Sequence, residues 1–346
     1  MRGHDYASSF GIIQRKLRQK WLLDYAGPTA AGRTSMMKRF TARPASTQHF
    51  TLGEGPLWDS RRDRVLWVDI IAGQIWDGVL DPGGIVAQTT HHFGEMIGAA
   101  VPTSDGGILA AGQKKFHAIA ADGTRYESEE IIGAALHSRF NDGSCDPAGR
   151  FFIGSMSLDG TKGTDNLYLV DGEGQTSLVD AGFSLSNGIG WSPDGTQMYH
   201  VDSVEKTLWR MPYDLETGNP GERIVVLNPE KLAQQFPENP ATPDGMAVDA
   251  EGYLWVAYWG AGQVRCHDPR DGAVQAVVDV PAPNTTSATF VGPGQDQLLI
   301  TTARDGLSAQ ELEDFPDSGR LFLADVGARG FVRAPWSGVA HQIGAR

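Results

Sequence analysis

The chain has 346 residues, 43 of them Gly and 19 Pro, and only 21% are charged, a balance that suits many turns and short strands rather than long surface helices. The net charge is −13 but unevenly spread: residues 1–46 carry nine Lys and Arg against Asp5 and Asp24, a net of +7, which leaves −20 on the remainder. That acidic body argues against nucleic acid as a partner and suits a soluble protein that binds cations or small neutral molecules. No run of about 18 apolar residues is present for a membrane-spanning helix, so no membrane partner is expected. Cys145 and Cys266 lie far apart and form neither a disulfide framework nor a paired zinc motif, which points to a reducing, cytoplasmic setting.

The first 46 residues differ from the rest. Ile12-Ile13, Leu17 and Trp21-Leu22-Leu23 lie among Arg15, Lys16, Arg18 and Lys20, a basic amphipathic pattern compatible with a membrane-surface or transit role. The simpler reading is a basic leader, either a disordered tail or an over-extended start with Met36 or Met37 as the true first residue. A single domain is then expected over 47–340.

From residue 50 a single unit recurs: a turn rich in Asp, Pro and Gly, then a short apolar or aromatic strand. The copies run through Val65–Asp69, Asp105–Ala110, Asp146–Ile153, Ser192–Tyr199, Asp249–Val256 and Gly292–Ile300. With Asp59, Asp105, Ala148, Asp194, Glu251 and Gly294 as markers, the gaps are 46, 43, 46, 57 and 43 residues. Near-constant spacing of this size is the mark of propeller blades, and six copies predict an all-β, six-bladed β-propeller. The long gap holds Asn228 to Thr242, read as a loop insertion on one face.

Innermost strands of a propeller line a central channel, where residues distant in sequence meet. Polar residues beside the repeats are therefore the site candidates. Arg139-Phe140-Asn141-Asp142-Gly143 packs a guanidinium, an amide and a carboxylate just ahead of one turn-strand unit. Glu54 in Gly53-Glu54-Gly55, Asn187 in Ser186-Asn187-Gly188 and Asp244 in Pro243-Asp244-Gly245 stand at matching places ahead of three others. Each alone reads as an ordinary turn dipeptide. Together, two carboxylates and an amide oxygen make a hard oxygen set for one divalent cation in the channel, with positions left for water and substrate. The scattered histidines show no ligand spacing; His200 and Asp202 are the pair most suited to face the channel.

The segments Gly53–Trp58, Arg139–Met156, Ser186–Gly195, Pro243–Ala257 and Thr301–Ser308 jointly resemble the regucalcin–gluconolactonase (senescence marker protein) family of sugar-lactone hydrolases. The resemblance implies a six-bladed propeller with one divalent metal in its channel, held by Glu54, Asn187 and Asp244. It implies that Arg139 and Asn141 hold the sugar lactone. It also implies that Asp159, where animal members have Glu, lies at the substrate-binding position with a shorter reach. Asp244 is the expected catalytic base toward the attacking water. Oxygen ligands admit Ca²⁺, Mg²⁺, Mn²⁺, Zn²⁺ or Fe²⁺. The expected activity is metal-dependent hydrolysis of an aldonolactone in carbohydrate catabolism. An esterase or phosphotriesterase-like hydrolase on the same scaffold, or a non-catalytic calcium-binding propeller, are the alternatives.

Overall fold

Every turn picked out by the repeat joins an innermost strand to the second strand of an antiparallel sheet in the computed structural model, which describes residues 37–133, 135–237 and 241–344. The turns form for local reasons. The Asp146 carboxylate accepts from Arg150 N at 2.8 Å, Asp249 from Glu251 N and Tyr253 N at 3.0 and 2.9 Å, and Asp194 from Thr196 N at 3.1 Å. Gly149, Gly195 and Gly252 then take φ of 81°, 70° and 88°, which a side chain would oppose.

Six sheets result, one per repeat, arranged as a six-bladed β-propeller. The innermost strands of blades one to six are Gly53–Asp59, Ala99–Pro102, Ser138–Cys145, Ser186–Trp191, Thr242–Val248 and Thr285–Val291. They run in the same sense, so their first residues ring one mouth of the channel (the near mouth) and their last residues ring the other. The second strands read as continuous apolar runs because each blade is covered on both faces. In blade three, Phe151 packs with Phe116 and Phe140 toward blade two, while its neighbour Phe152 packs with Trp191 and Tyr213 toward blade four. Fully burying one such ring stabilises by about 1.5–3 kcal/mol.

The ring is closed by chain from the segment read as leader. Arg43–Pro44 pairs antiparallel with Phe322–Ala324 and supplies the outermost strand of blade six. Lys38–Thr41 adds a parallel fifth strand to blade five along Val274–Asp279, where Arg39 and Asp279 form a two-bonded ion pair at 2.5 and 2.7 Å. The sheets therefore begin before residue 47: Lys38–Thr41 and Arg43–Pro44, within the segment read as leader, are strands of blades five and six. The basic amphipathic stretch before Met37 lies outside the described residues. The insertion at Asn228 to Thr242 includes a short helix, Pro229–Gln235, whose first turn is capped by Asn228. It connects an outer strand to an inner one and so sits at the near mouth, as does the helix Ala309–Asp314. Among the described residues no helix is long and apolar enough to cross a membrane.

Candidate active site

The candidate residues stand where the innermost strands break register. On Gly53–Asp59, residues 55 and 56 face one residue of the second strand, between the Glu54–Val68 and Leu57–Leu66 pairs. The same bulge falls at Asn141 and Asp142, at Gly188, at Asp244 and Gly245, and at Thr286. A bulge turns a side chain off the alternating faces of its strand. These Asn-Gly and Asp-Gly pairs are thus strand bulges, not turns. The glycines also let blades approach: a Cβ on Gly188 would sit 2.6 Å from Asp244 O, and one on Gly245 would sit 2.2 Å from Ser287 Oγ.

Glu54, Arg139, Asn141, Asn187 and Asp244 are all buried at the near half of the channel. Asn187 Nδ2 donates to Asp244 Oδ1 and, at 3.1 Å, to Ser203 Oγ, which in turn donates to Pro243 O at 2.7 Å. Burial pushes the Glu54 carboxyl well above its ordinary range, and the charges of Asp244 and Asp142 push it further. Asp244 is raised in the same way, by burial and then by Asp142. Burial lifts Asp142 to about 6. No described Lys, Arg or His nitrogen comes within 4.0 Å of Glu54, Asp142 or Asp244. The Glu54 and Asp244 carboxylates, without a close counter-ion and beside the Asn187 amide, are hard oxygen donors of the type that fits a divalent cation. Among the described residues no three His, Cys, Asp or Glu side chains are grouped closely enough to cage a metal. Asp142 therefore acts on Glu54 and Asp244 through its field, while Asn187 turns its amide nitrogen to Asp244 and its amide oxygen accepts from Gly188 N at 3.3 Å.

Arg139 Nη1 donates to Phe140 O and to Asn141 Oδ1, at 2.8 and 2.9 Å, and Asn141 Nδ2 donates to Ser186 O at 2.9 Å. The Asn141 amide thus holds the guanidinium through its oxygen and is itself held by blade four through its nitrogen. No described residue accepts from Arg139 Nε or Nη2, which leaves two donors for a ligand. Burial lowers the Arg139 pKa to about 10; Glu54, Asp305, Asp165 and Asp244 oppose that fall. An Arg139–Asp142 salt bridge, one way to read that sequence, does not form.

Asp159 stands apart from this group. It is exposed, and its Oδ1 accepts from Ser157 Oγ, Thr161 N and Thr161 Oγ1 within its own loop. Those bonds draw its pKa to about 2. No hydrogen bond joins it to Glu54, Arg139, Asn141, Asn187 or Asp244. His200 and Asp202 do not serve the channel either. Burial takes His200 down to about 3 between Phe183 and Trp209, with Nε2 2.7 Å from Ser186 Oγ. Asp202 is engaged by the backbone N–H groups of Ser184, Leu185, Val204 and Glu205, as Asp69 in blade one is by Thr51, Leu52 and Ala72. Sequence reasoning missed Asp142 as a neighbour of the carboxylates and missed Ser203, which accepts from Asn187. The bulge that turns Asp142 inward is a property of strand pairing and leaves no sequence signal.

Below the carboxylates the channel narrows to a cavity of about 20 Å³ that holds Asp142, and at the far mouth it widens to about 320 Å³. The wide cavity touches the last residues of all six innermost strands and the C-terminal segment Gly330–Pro335. It contains none of Glu54, Asn187, Asp244 or Arg139.

The SMP-30/Gluconolactonase/LRE-like region matches residues 52–304. Pentonolactonase XacC of Haloferax volcanii is 35% identical over 287 residues, 81% of this chain and 92% of its own length. A 6-deoxy-6-sulfogluconolactonase of Pseudomonas putida is 34% identical over 295 residues, 84% of this chain and 97% of its own. The crystal structure of a calcium-binding protein, regucalcin, from Agrobacterium tumefaciens matches with a TM-score of 0.78 and 30% identity, over 88% of this chain and 99% of that one.

Proposed function

Because the chain belongs to the SMP-30/gluconolactonase/LRE-like family, we propose that it is a hydrolase that opens a sugar lactone to the aldonic acid at the near half of the channel. Glu54, Asn187 and Asp244 would hold a divalent cation there. The observation that carries this reading is the buried Glu54 and Asp244 carboxylates, with no close counter-ion and with the Asp244 charge raising Glu54, beside an arginine that keeps two donor nitrogens unengaged. The chemistry a divalent cation supplies when bound is Lewis-acid polarisation of the ester carbonyl.

Lactone opening adds water to the carbonyl carbon and breaks the bond from that carbon to the ring oxygen. Asp244 takes the proton from the attacking water and returns it to the departing ring oxygen. Asn187 donates to one Asp244 oxygen and so fixes which oxygen is left to accept that proton. Arg139 offers Nε and Nη2 to sugar hydroxyl or carbonyl oxygens, and Asn141 holds the guanidinium at that angle. Asp159 has no step in this scheme.

The test is proton release from a panel of aldonolactones by metal-stripped protein, before and after each divalent ion is restored. Turnover that returns with metal and is lost in Asp244→Ala supports the reading. Binding of the ion without turnover on any lactone overturns it in favour of a calcium-binding propeller, the reading favoured by the similarity to the Agrobacterium tumefaciens protein.

A further inference from the structure

The narrow mid-channel and the wide far cavity share five lining residues: Leu57, Ser144, Ile189, Met246 and Arg333. They mark the constriction between the two spaces. Four come from the innermost strands of blades one, three, four and five. The fifth, and the one charged member, comes from the C-terminal segment after the last sheet. Arg333 Nη2 donates to Thr289 Oγ1 at 2.7 Å and Pro56 O at 3.4 Å, which ties the guanidinium to blades six and one. Across the small cavity stands Asp142, more than 4.0 Å from the guanidinium. The space of about 20 Å³ between polar groups suits one water bridging them.

We propose that Arg333 is a positioning residue for the channel site: fixed at the constriction, its charge offsets that of Asp142 and weakens the field that Asp142, Glu54 and Asp244 together present to a divalent cation. The inference rests on the cation site proposed above. Along the axis the order is Arg333, then Asp142, then the Glu54–Asp244 pair, with Arg139 beside that pair. The small cavity that Arg333 and Asp142 share is also lined by Gly55, next to Glu54, and by Met246, two residues from Asp244, so the two charges lie directly beneath the pair. The ring between the far cavity and the carboxylates is apolar apart from Ser144 and Arg333. A fixed charge in so little water is poorly screened, so it reaches the cation position with force. Arg333 thus tunes affinity from the side opposite the substrate entrance, without touching substrate.

The test is calorimetric titration of Mn²⁺ into the metal-stripped full-length protein. Arg333→Met removes the opposing charge and binds Mn²⁺ about tenfold tighter, while Arg333→Lys keeps the charge and stays within about twofold of wild type. Asp142→Asn binds about tenfold more weakly, and the Arg333→Met/Asp142→Asn pair returns toward wild type. A role in packing alone would leave affinity unmoved by the charge and would make Lys as damaging as Met. The inference is overturned if Arg333→Met binds Mn²⁺ no tighter than wild type, or if Asp142→Asn binds it equally well. Should Arg333→Met not fold, Arg333→Gln, which removes the same charge and keeps a donor for Thr289 Oγ1, decides by the same readout. If wild type takes up no Mn²⁺, or Glu54→Gln leaves uptake unchanged, the cation site itself is wrong and both proposals fall. Uptake lost in Glu54→Gln but indifferent to Arg333→Met overturns this inference alone.

Discussion

Asp142→Asn should make the metal-free protein more stable at neutral pH. Asp142 is partly buried in the channel, where burial raises its pKa from 3.8 to about 6. Between those two values the folded chain keeps a proton that the unfolded chain has released, so stability falls as pH rises through this window and stays reduced above it. A rise of about two units corresponds to about 3 kcal/mol at pH 7.5, and to nothing only well below the ordinary value of 3.8, where both states are protonated. The amide oxygen of Asn can still accept from Gly143 N, which now donates to Asp142 Oδ1 at 2.8 Å, so the charge is the main thing removed. For a domain of this size that is a gain of about 5 °C in Tm. The assay is thermal unfolding of metal-stripped wild type and variant from pH 4 to 8. The gap should open between pH 4 and 6.5 and close again when a divalent ion is added in excess, because wild type then gains more from binding. A constant gap across pH, or a wild type more stable than the variant at pH 7.5 without metal, would refute the argument that Asp142 is a charge held against its own desolvation.

The other expectations divide the sequence candidates. Asp159→Ala should leave kcat/KM on the best lactone within about twofold, since its carboxylate is engaged in its own loop, whereas Arg139→Lys should lose at least about tenfold with the Asn141 bond and the forked donors. His200→Gln should cost about 1–3 kcal/mol in urea unfolding through the lost Ser186 contact and ring packing, yet leave the pH profile of turnover unmoved, because a histidine held near 3 is neutral throughout the working range. Deletion through residue 46 should lower Tm by about 5 °C or more relative to deletion through residue 36, since only the longer cut removes the strands at 38–41 and 43–44; equal Tm values would show that this closure adds no stability.

Much of the fold was legible because each repeat carries its own instructions. The Asp carboxylates of the turns bond to N–H groups two to four residues on, and the strand that follows is apolar on both faces; these are local matters that a linear pattern records. The same holds for Glu54, Asn187 and Asp244, which occupy equivalent places in blades one, four and five, so their spacing placed them in one channel without any knowledge of the contacts. Likeness in chain position says nothing of where a side chain finds its hydrogen bonds: the Asp159 carboxylate accepts from Ser157 and Thr161 in its own loop.

The amino-acid sequence by itself determined the blade, its count and the oxygen-bearing residues at its inner edge, because those depend on hydrogen bonds and periodicity within some fifty residues. Only the tertiary structure decided how the ring shuts, which carboxylates feel one another and what stands beneath them. Arg39 meets Asp279 across 240 positions of chain, Thr286 meets Gly53 O across 233 and Arg333 meets Pro56 O across 277. No pattern along the chain encodes such a meeting. It arises when six similar sheets close on one another, and the first and last segments of the described chain are left the only places to go: one along the outer edge of blades five and six, the other across the far mouth of the channel.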